Sequence, residues 1–250
     1  MNHLKNLQLI DTVVVMTSAQ IGKTELLLNI IGYYVHYDPS PILLLQPTLE
    51  MAEAFSKDRL APMIRDTIVL RNRIGDAKSK NSGNTLLHKT FPGGHITMAG
   101  ANSPSSLASR PIRAVLADEV DRYPVSAGTE GDPLMLATKR TTTFWNKKKV
   151  YVSTPTIKGA SRIEAEYEES TMDEWHVYCP SCGELQPYEW GRINFDSATM
   201  TCRCCGSLHN EHEWKAKKGK WVAKFPDRKK RGFHLNEMAS PWKRWEEIIE

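Results

Sequence analysis

Three residues near the end of SAQIGKTE, Ser18 to Glu25, have the types and spacing to hold a phosphate. Gly22 permits close backbone approach, the Lys23 ammonium can reach β and γ phosphates, and the Thr24 hydroxyl suits Mg²⁺. In the pattern GxxxxGK[ST] the first glycine falls at Thr17, so the half that touches phosphate is intact and the outer turn is not. Gln20, inside the loop, is grouped with the nucleotide-contacting residues. Taken alone, GKT also fits an ordinary exposed helix start. A second site lies downstream in RAVLADEVDRYP, where Ala114 to Ala117 would deliver Asp118 and Glu119 to the end of a buried strand. There an aspartate holds Mg²⁺ and the following glutamate polarises an attacking water. A strand-loop-helix GKT joined to a strand ending in Asp-Glu points to nucleotide hydrolysis. In VYVSTPT, the hydroxyls of Ser153 and Thr154 end another apolar run; sensing a γ-phosphate and closing a proline turn both fit.

The other chemistry is in the cysteines. All five lie between Cys179 and Cys205, in CPSCG and CRCCG. Cys179 with Cys182 and Cys202 with Cys205 make two CxxC pairs, each followed by a glycine, with nineteen residues between the pairs. That spacing suits one tetrahedral Zn²⁺ of structural type, with no position open for a water. Disulfides are the alternative, but they rarely persist in a reducing compartment. Cys204 is the spare thiol, and His209 and His212 are nearby substitutes.

These residues need elements to position them. Thr12 to Met16 reads as a buried strand, Thr24 to Tyr37 as a helix, Pro41 to Leu45 as a strand, and Thr48 as the cap of a helix running to about Arg65. Apolar runs follow at His95 to Ala99, Ala114 to Ala117 and Val150 to Val152. Short apolar strands alternating with helices predict an α/β fold with a mostly parallel sheet covered on both faces. The polar stretch from Arg71 to Gly94 reads as a loop or hairpin. No run of eighteen apolar residues and no signal-peptide core occur, so the expected location is the cytoplasm, with no membrane partner.

The chain of 250 residues is 40% hydrophobic and 25% charged, enough for one core and a small second module. Its net charge of +4 is unevenly spread: Lys215 to Arg231 holds nine lysines or arginines against Asp227 alone. Interleaved with Trp214, Trp221 and Phe225, this run suits a nucleic-acid backbone and its bases. A solvated surface with core aromatics fits it equally well.

Several long stretches, among them SAQIGKTELLLNIIGYY, QPTLEMAEAFSKDRLAPMIRDT, SRPIRAVLADEVDRYP and KKKVYVSTPTIKGASRIEAEYEES, closely resemble the large terminase subunit of tailed bacteriophages, the lambda-type GpA family. The resemblance implies a P-loop ATPase of the ASCE type that drives double-stranded viral DNA into a procapsid. It would work at the portal with a small terminase subunit, as a ring of copies, in the host cytoplasm. By family position Lys23 and Thr24 belong to Walker A, Asp118 and Glu119 to Walker B with its catalytic glutamate, and Ser153, Thr154 and Pro155 to the coupling motif. Arg110 resembles the arginine finger offered to a neighbour's nucleotide, although a buried salt bridge would fit it too. Some relatives carry a basic residue where this chain has Thr17; here the lysine keeps the standard place. Family members are longer, with an adenine-holding segment ahead of the first strand and a metal-dependent nuclease after the last. The expected division is an ATPase domain over residues 1–172, a zinc-ribbon module over 173–213, and a basic linker over 214–250 leading toward a nuclease domain that this chain lacks, so no DNA cleavage is expected. ATP, Mg²⁺ and Zn²⁺ are the implied cofactors. A remnant that binds zinc and DNA without turnover is the competing reading.

Overall fold

The computed structural model describes residues 10–75, 83–103 and 110–250. The β-branched run Thr12–Thr17 forms β1, and the phosphate-type loop leads into α1 (Lys23–His36). β2 (Pro41–Gln46) follows. The Thr48 hydroxyl then accepts from the Met51 N–H and starts α2 (Leu49–Phe55), the Ncap role its residue type favours. A π-helical turn, Ser56–Leu60, carries the chain into α3 (Ala61–Asp66), and α4 (Ile68–Arg71) closes this helical stretch. β3 (His88–Phe91) and β4 (Gly94–Gly100) pair antiparallel, so the polar stretch before Gly94 ends in a hairpin strand.

β5 (Ala114–Asp118), α5 (Pro133–Lys139), β6 (Lys148–Ser153) and α6 (Arg162–Glu168) complete the segment expected to be the ATPase domain. Beyond it come β7 (Asp173–Tyr178), β8 (Leu185–Pro187) and three short strands, β9 (Ile193–Asn194), β10 (Thr199–Thr201) and β11 (Leu208–Asn210). The chain ends with α7 (Glu211–Lys215), β12 (Lys220–Ala223), β13 (Arg231–Leu235) and α8 (Trp245–Ile249).

Ten strands form one sheet in the order β12-β7-β13-β1-β6-β5-β2-β4-β3, with β8 paired to β7 off this path. The seven strands from β7 to β4 are mutually parallel, and β3, β8 and β12 join them antiparallel. Parallel strands bury both faces, and successive residues of β2 show it. Ile42 and Leu44 face a core built with Leu27, Leu28 and Ile31 of α1. Leu43 and Leu45 face a second core with Leu134 of α5 and Ile163 and Tyr167 of α6. Among the described residues no helix is long and apolar enough to cross a membrane.

The expected linker is not a linker. Residues 231–235 form β13, which lies between β1 and β7, in register from Val13 opposite Arg231 to Thr17 opposite Leu235. The boundary at 172/173 likewise falls just before a strand of the main sheet. The run of cations hid this, because four of its nine are tied to other parts of the chain. Lys230 pairs with Glu166 and Glu169, Arg231 with Asp173, and Lys215 with Glu211, while Arg228 donates to the Glu168 and Ser170 carbonyls. Trp214 is fully buried and closed to a base, and the Arg228 guanidinium, 3.8 Å from the centre of the Phe225 ring, covers one face of that ring. Lys217, Lys218, Lys220, Lys224 and Lys229 are exposed.

Candidate active site

The carboxyl ends of β1, β2, β5 and β6 meet at one edge of the sheet, the place where open α/β sheets bind ligands. At β1 the loop enters α1 through two left-handed residues, Gln20 at φ 58° and Gly22 at φ 85°. Glycine is favoured at Gly22 by its backbone angle, because a Cβ there would meet nothing within 4 Å. Gly22 is the Ncap of α1 and offers no side chain to the first-turn N–H groups, and such a helix start attracts an anion. Gln20 is exposed at the tip and Thr24 is half-buried on the first turn.

Lys23 points back into the loop. Its Nζ donates to the Ser18 carbonyl at 2.9 Å and to the Thr154 hydroxyl at 2.8 Å. The ammonium is buried, which lowers its pKa, and the nearby charges of Glu119 and Asp118 pull the other way. The Ser18 hydroxyl is buried beside it without a hydrogen-bond partner among the described residues.

Asp118 ends β5 with 6% of its surface exposed. Burial raises its pKa, and a hydrogen bond from Gln46 Nε2 to Oδ2, 3.1 Å, opposes the rise. Glu119 takes the left-handed conformation, φ 50° and ψ 49°. For a residue with a Cβ this costs about 1 to 2 kcal/mol, and it turns the chain sharply into a 3₁₀ turn, Val120–Arg122. The Arg122 guanidinium lies 3.8 Å from Glu119 Oε2, but the arginine side chain is 66% exposed and holds the carboxylate only weakly.

Sequence reasoning missed four contributors. Gln46 could have been noticed as the one polar residue closing the apolar run PILLL. Ser18 stands in the loop sequence, where its residue type alone assigns it no part. Asp121 and Thr156 form a pair across the site, and nothing local marks it. Arg110, by contrast, stands ahead of β5, at the end of that strand opposite Asp118, and its side chain is exposed. It is therefore not a buried salt bridge, and it is not gathered with Lys23, Asp118 and Glu119.

The four thiols Cys179, Cys182, Cys202 and Cys205 form a second cluster, with all Sγ atoms within 4.8 Å of one another. Sγ separations are 3.8 Å for Cys179 to Cys205 and 3.7 Å for Cys182 to Cys202. A tetrahedron with Zn–S bonds of about 2.3 Å has edges of about 3.8 Å, whereas a disulfide needs about 2.05 Å. The two halves repeat one turn. The Cys179 N–H donates to the Glu184 carbonyl and the Gly183 N–H to the Cys179 carbonyl; Cys202, Ser207 and Gly206 do the same. Gly183 and Gly206 have φ of 75° and 71°, which explains the glycine after each CxxC. Cys204 is exposed and outside the cluster. Cys179 and Cys202 belong to a core completed by Trp214, Met238 and Trp245, so residues after 213 also support this module.

This arrangement can be set beside known proteins. The chain is 27% identical, over its whole length, to the large terminase subunit of Enterobacteria phage P21, and spans 44% of that protein. It is 30% identical to the large terminase subunit of Escherichia phage lambda over 71% of this chain and 28% of the relative. The crystal structure of the HK97 bacteriophage large terminase superposes with a TM-score of 0.50 at 13% identity, covering 63% of this chain and 32% of that one, a likeness of fold. The family model described as the phage terminase large subunit gpA, ATPase domain, matches residues 1–221. With a P-loop sheet and an Asp-Glu strand end in the expected places, the chain belongs to the gpA ATPase-domain family of phage terminase large subunits.

Proposed function

We propose that this chain binds and hydrolyses ATP and couples the hydrolysis to movement of double-stranded viral DNA into a procapsid. The observation that carries this reading is the state of Lys23: a buried ammonium held by two neutral oxygens, Ser18 O and Thr154 Oγ1, at the start of a helix. A phosphate would replace those neutral acceptors with charged ones and compensate the burial. Gly22 and Gln20 shape the loop for close approach, and Thr24 and Asp118 are the residues that would hold Mg²⁺. The metal would supply positive charge against the β and γ phosphate oxygens. Gln46 keeps Asp118 oriented, and Glu119 polarises the attacking water as general base. Thr154 senses the γ-phosphate through its hydrogen bond from Lys23, and the buried Ser153 hydroxyl, which accepts from the Asp121 N–H, supports it from behind. Arg110, exposed on the far side of β5, is the candidate finger for a neighbouring copy's nucleotide in a ring.

The exposed lysines of the 217–229 segment suit the DNA backbone. The four cysteines would hold a structural Zn²⁺, supported by their tetrahedral separations. A small subunit, a portal and the host cytoplasm are the setting that the family relationship suggests.

The test is DNA-stimulated ATP hydrolysis by the purified chain, with Glu119→Gln as control. Wild type should turn over and the variant should bind nucleotide with kcat reduced about 10²- to 10⁴-fold, the range of a general base. Equal inactivity of both proteins would leave a zinc- and DNA-binding remnant as the reading.

A further inference from the structure

We infer that Asp121 is a positioning residue for the hydrolytic step, holding the Glu119 turn against the segment that ends β6. No sequence motif marks it, yet its carboxylate accepts three hydrogen bonds. Oδ2 accepts from the Thr156 N–H at 2.9 Å and the Thr156 hydroxyl at 3.0 Å, and Oδ1 accepts from the Ile163 N–H at 2.8 Å. Its own N–H donates to the Ser153 hydroxyl at 3.3 Å. One residue thus joins three pieces: the 3₁₀ turn begun by Glu119, the Ser153–Thr156 segment, and the first turn of α6.

The geometry explains why Glu119 needs such a brace. Its left-handed backbone costs energy and relaxes unless the following turn is held. Val120 and Tyr123 anchor that turn from within the core, Tyr123 by a hydrogen bond to the Leu45 carbonyl. Among the described residues, Asp121 alone hydrogen-bonds this turn to the Ser153–Thr156 segment, whose Thr154 meets Lys23. The Ser153–Thr156 segment is gripped from both sides, at Thr154 by Lys23 and at Thr156 by Asp121. When Lys23 turns to a phosphate, Thr154 loses that donor while Thr156 keeps its acceptor. Any shift of the segment is then delivered to the Glu119 turn and to α6. The far end of α6 and the residues just after it, Glu166, Glu168, Glu169 and Ser170, hold Lys230 and Arg228 of the basic run. The catalytic turn and the cationic segment are therefore linked through one short helix.

Asp121 can act in this way only if the chain hydrolyses nucleotide as proposed above. The test compares Asp121→Ala, Asp121→Asn and Thr156→Val with wild type for kcat, KM, nucleotide affinity and melting temperature. An ångström of misplacement at a reacting group costs about 10²-fold in rate, so Asp121→Ala should lose about that much in kcat. Its nucleotide Kd should stay within about threefold, because Lys23 and the loop are untouched. Asp121→Asn keeps one acceptor oxygen for two backbone donors and should lose about tenfold. Thr156→Val should lose less, and Asp121→Asn with Thr156→Val no more than Asp121→Asn alone, since both act on one link. A kcat for Asp121→Asn within twofold of wild type, or losses that multiply in the double variant, would overturn the role of Asp121 while leaving the hydrolytic function standing. A wild-type chain that binds nucleotide without hydrolysing it would overturn both.

Discussion

Gly232→Ala tests whether the C-terminal segment belongs to the sheet. On a linker, an added methyl would be silent or slightly stabilising. Within β13, a Cβ at position 232 would overlap the Ser170 hydroxyl and lie 2.6 Å from Ser170 Cβ and 3.0 Å from Tyr167 Cδ2. Ordinary contact begins near 3.4 Å, so Ser170 must retreat by about an ångström, as expected for overpacking in a dense interior. It has nowhere to go. Ser170 is fully buried, its hydroxyl donates to the Tyr167 carbonyl at 2.5 Å, and it accepts from the Met172 N–H at 3.1 Å.

Overpacking costs about 1 to 3 kcal/mol, and the two strained hydrogen bonds about 1 kcal/mol each. Alanine gains about 0.5 to 1 kcal/mol over glycine in a strand, which is smaller and of opposite sign. The net loss is about 2 to 4 kcal/mol, or about 4 to 16 °C in Tm at 2 to 4 °C per kcal/mol for a chain of this size. Thermal unfolding followed by far-UV circular dichroism measures it. Removing the obstacle supplies the control: Ser170→Gly with Gly232→Ala should be no less stable than Ser170→Gly alone, a coupling of about 1 to 3 kcal/mol. A Tm for Gly232→Ala within about 2 °C of wild type, or simple additivity in the double variant, would refute the placement of β13 beside β1.

Removing one thiolate and changing one carboxylate give two further tests. A structural Zn²⁺ is bound with about 10 to 16 kcal/mol, so each of four thiolates is worth about 3 kcal/mol. Cys182→Ser should therefore weaken zinc by about 10²-fold in competition with a chromophoric chelator, and zinc removal should perturb the emission of Trp214 and Trp245 in the adjoining core. An unchanged affinity would exclude the four-cysteine site. At Asp118 the sign follows from burial, which raises the folded pKa above the unfolded one. A raised carboxylate pKa means that stability is fully present below the unfolded pKa, about 3.9, and falls as pH rises through the folded value. Asp118→Asn removes that loss, so its Tm should exceed wild type at pH 7 and the gap should close as pH approaches 4. A wild-type protein that is the more stable of the two at pH 7 would contradict this.

What could be read from the sequence was what is local. The strand of Thr12–Thr17, the Thr48 cap and the paired CxxC turns each announce themselves within a few residues, because backbone sterics and local hydrogen bonds act over that distance. Gln46 and Asp121 act across the sheet, on Asp118 and on Thr156 and Ile163, and no short window contains both partners. β13 was the hardest to see. In RKKRGFHL only Phe233 and Leu235 are strongly apolar, and the surrounding cations dominate the pattern. The segment becomes a strand because β1 offers it a partner from Val13 to Thr17 and β7 another at Asp173 and Glu174. Its cations are then drawn in by acids of α6 and β7, Lys230 by Glu166 and Arg231 by Asp173. This placement also bears on the phosphate loop. The Ser18 N–H, at the start of that loop, donates to the Leu235 carbonyl at the end of β13. Without residues 231–235, β1 would lose its partner on that side and the loop would lose one of its backbone anchors. The ATPase fold is therefore not closed at residue 172: the strand whose Leu235 carbonyl anchors Ser18, the residue that Lys23 donates to, arrives only after the cysteine module.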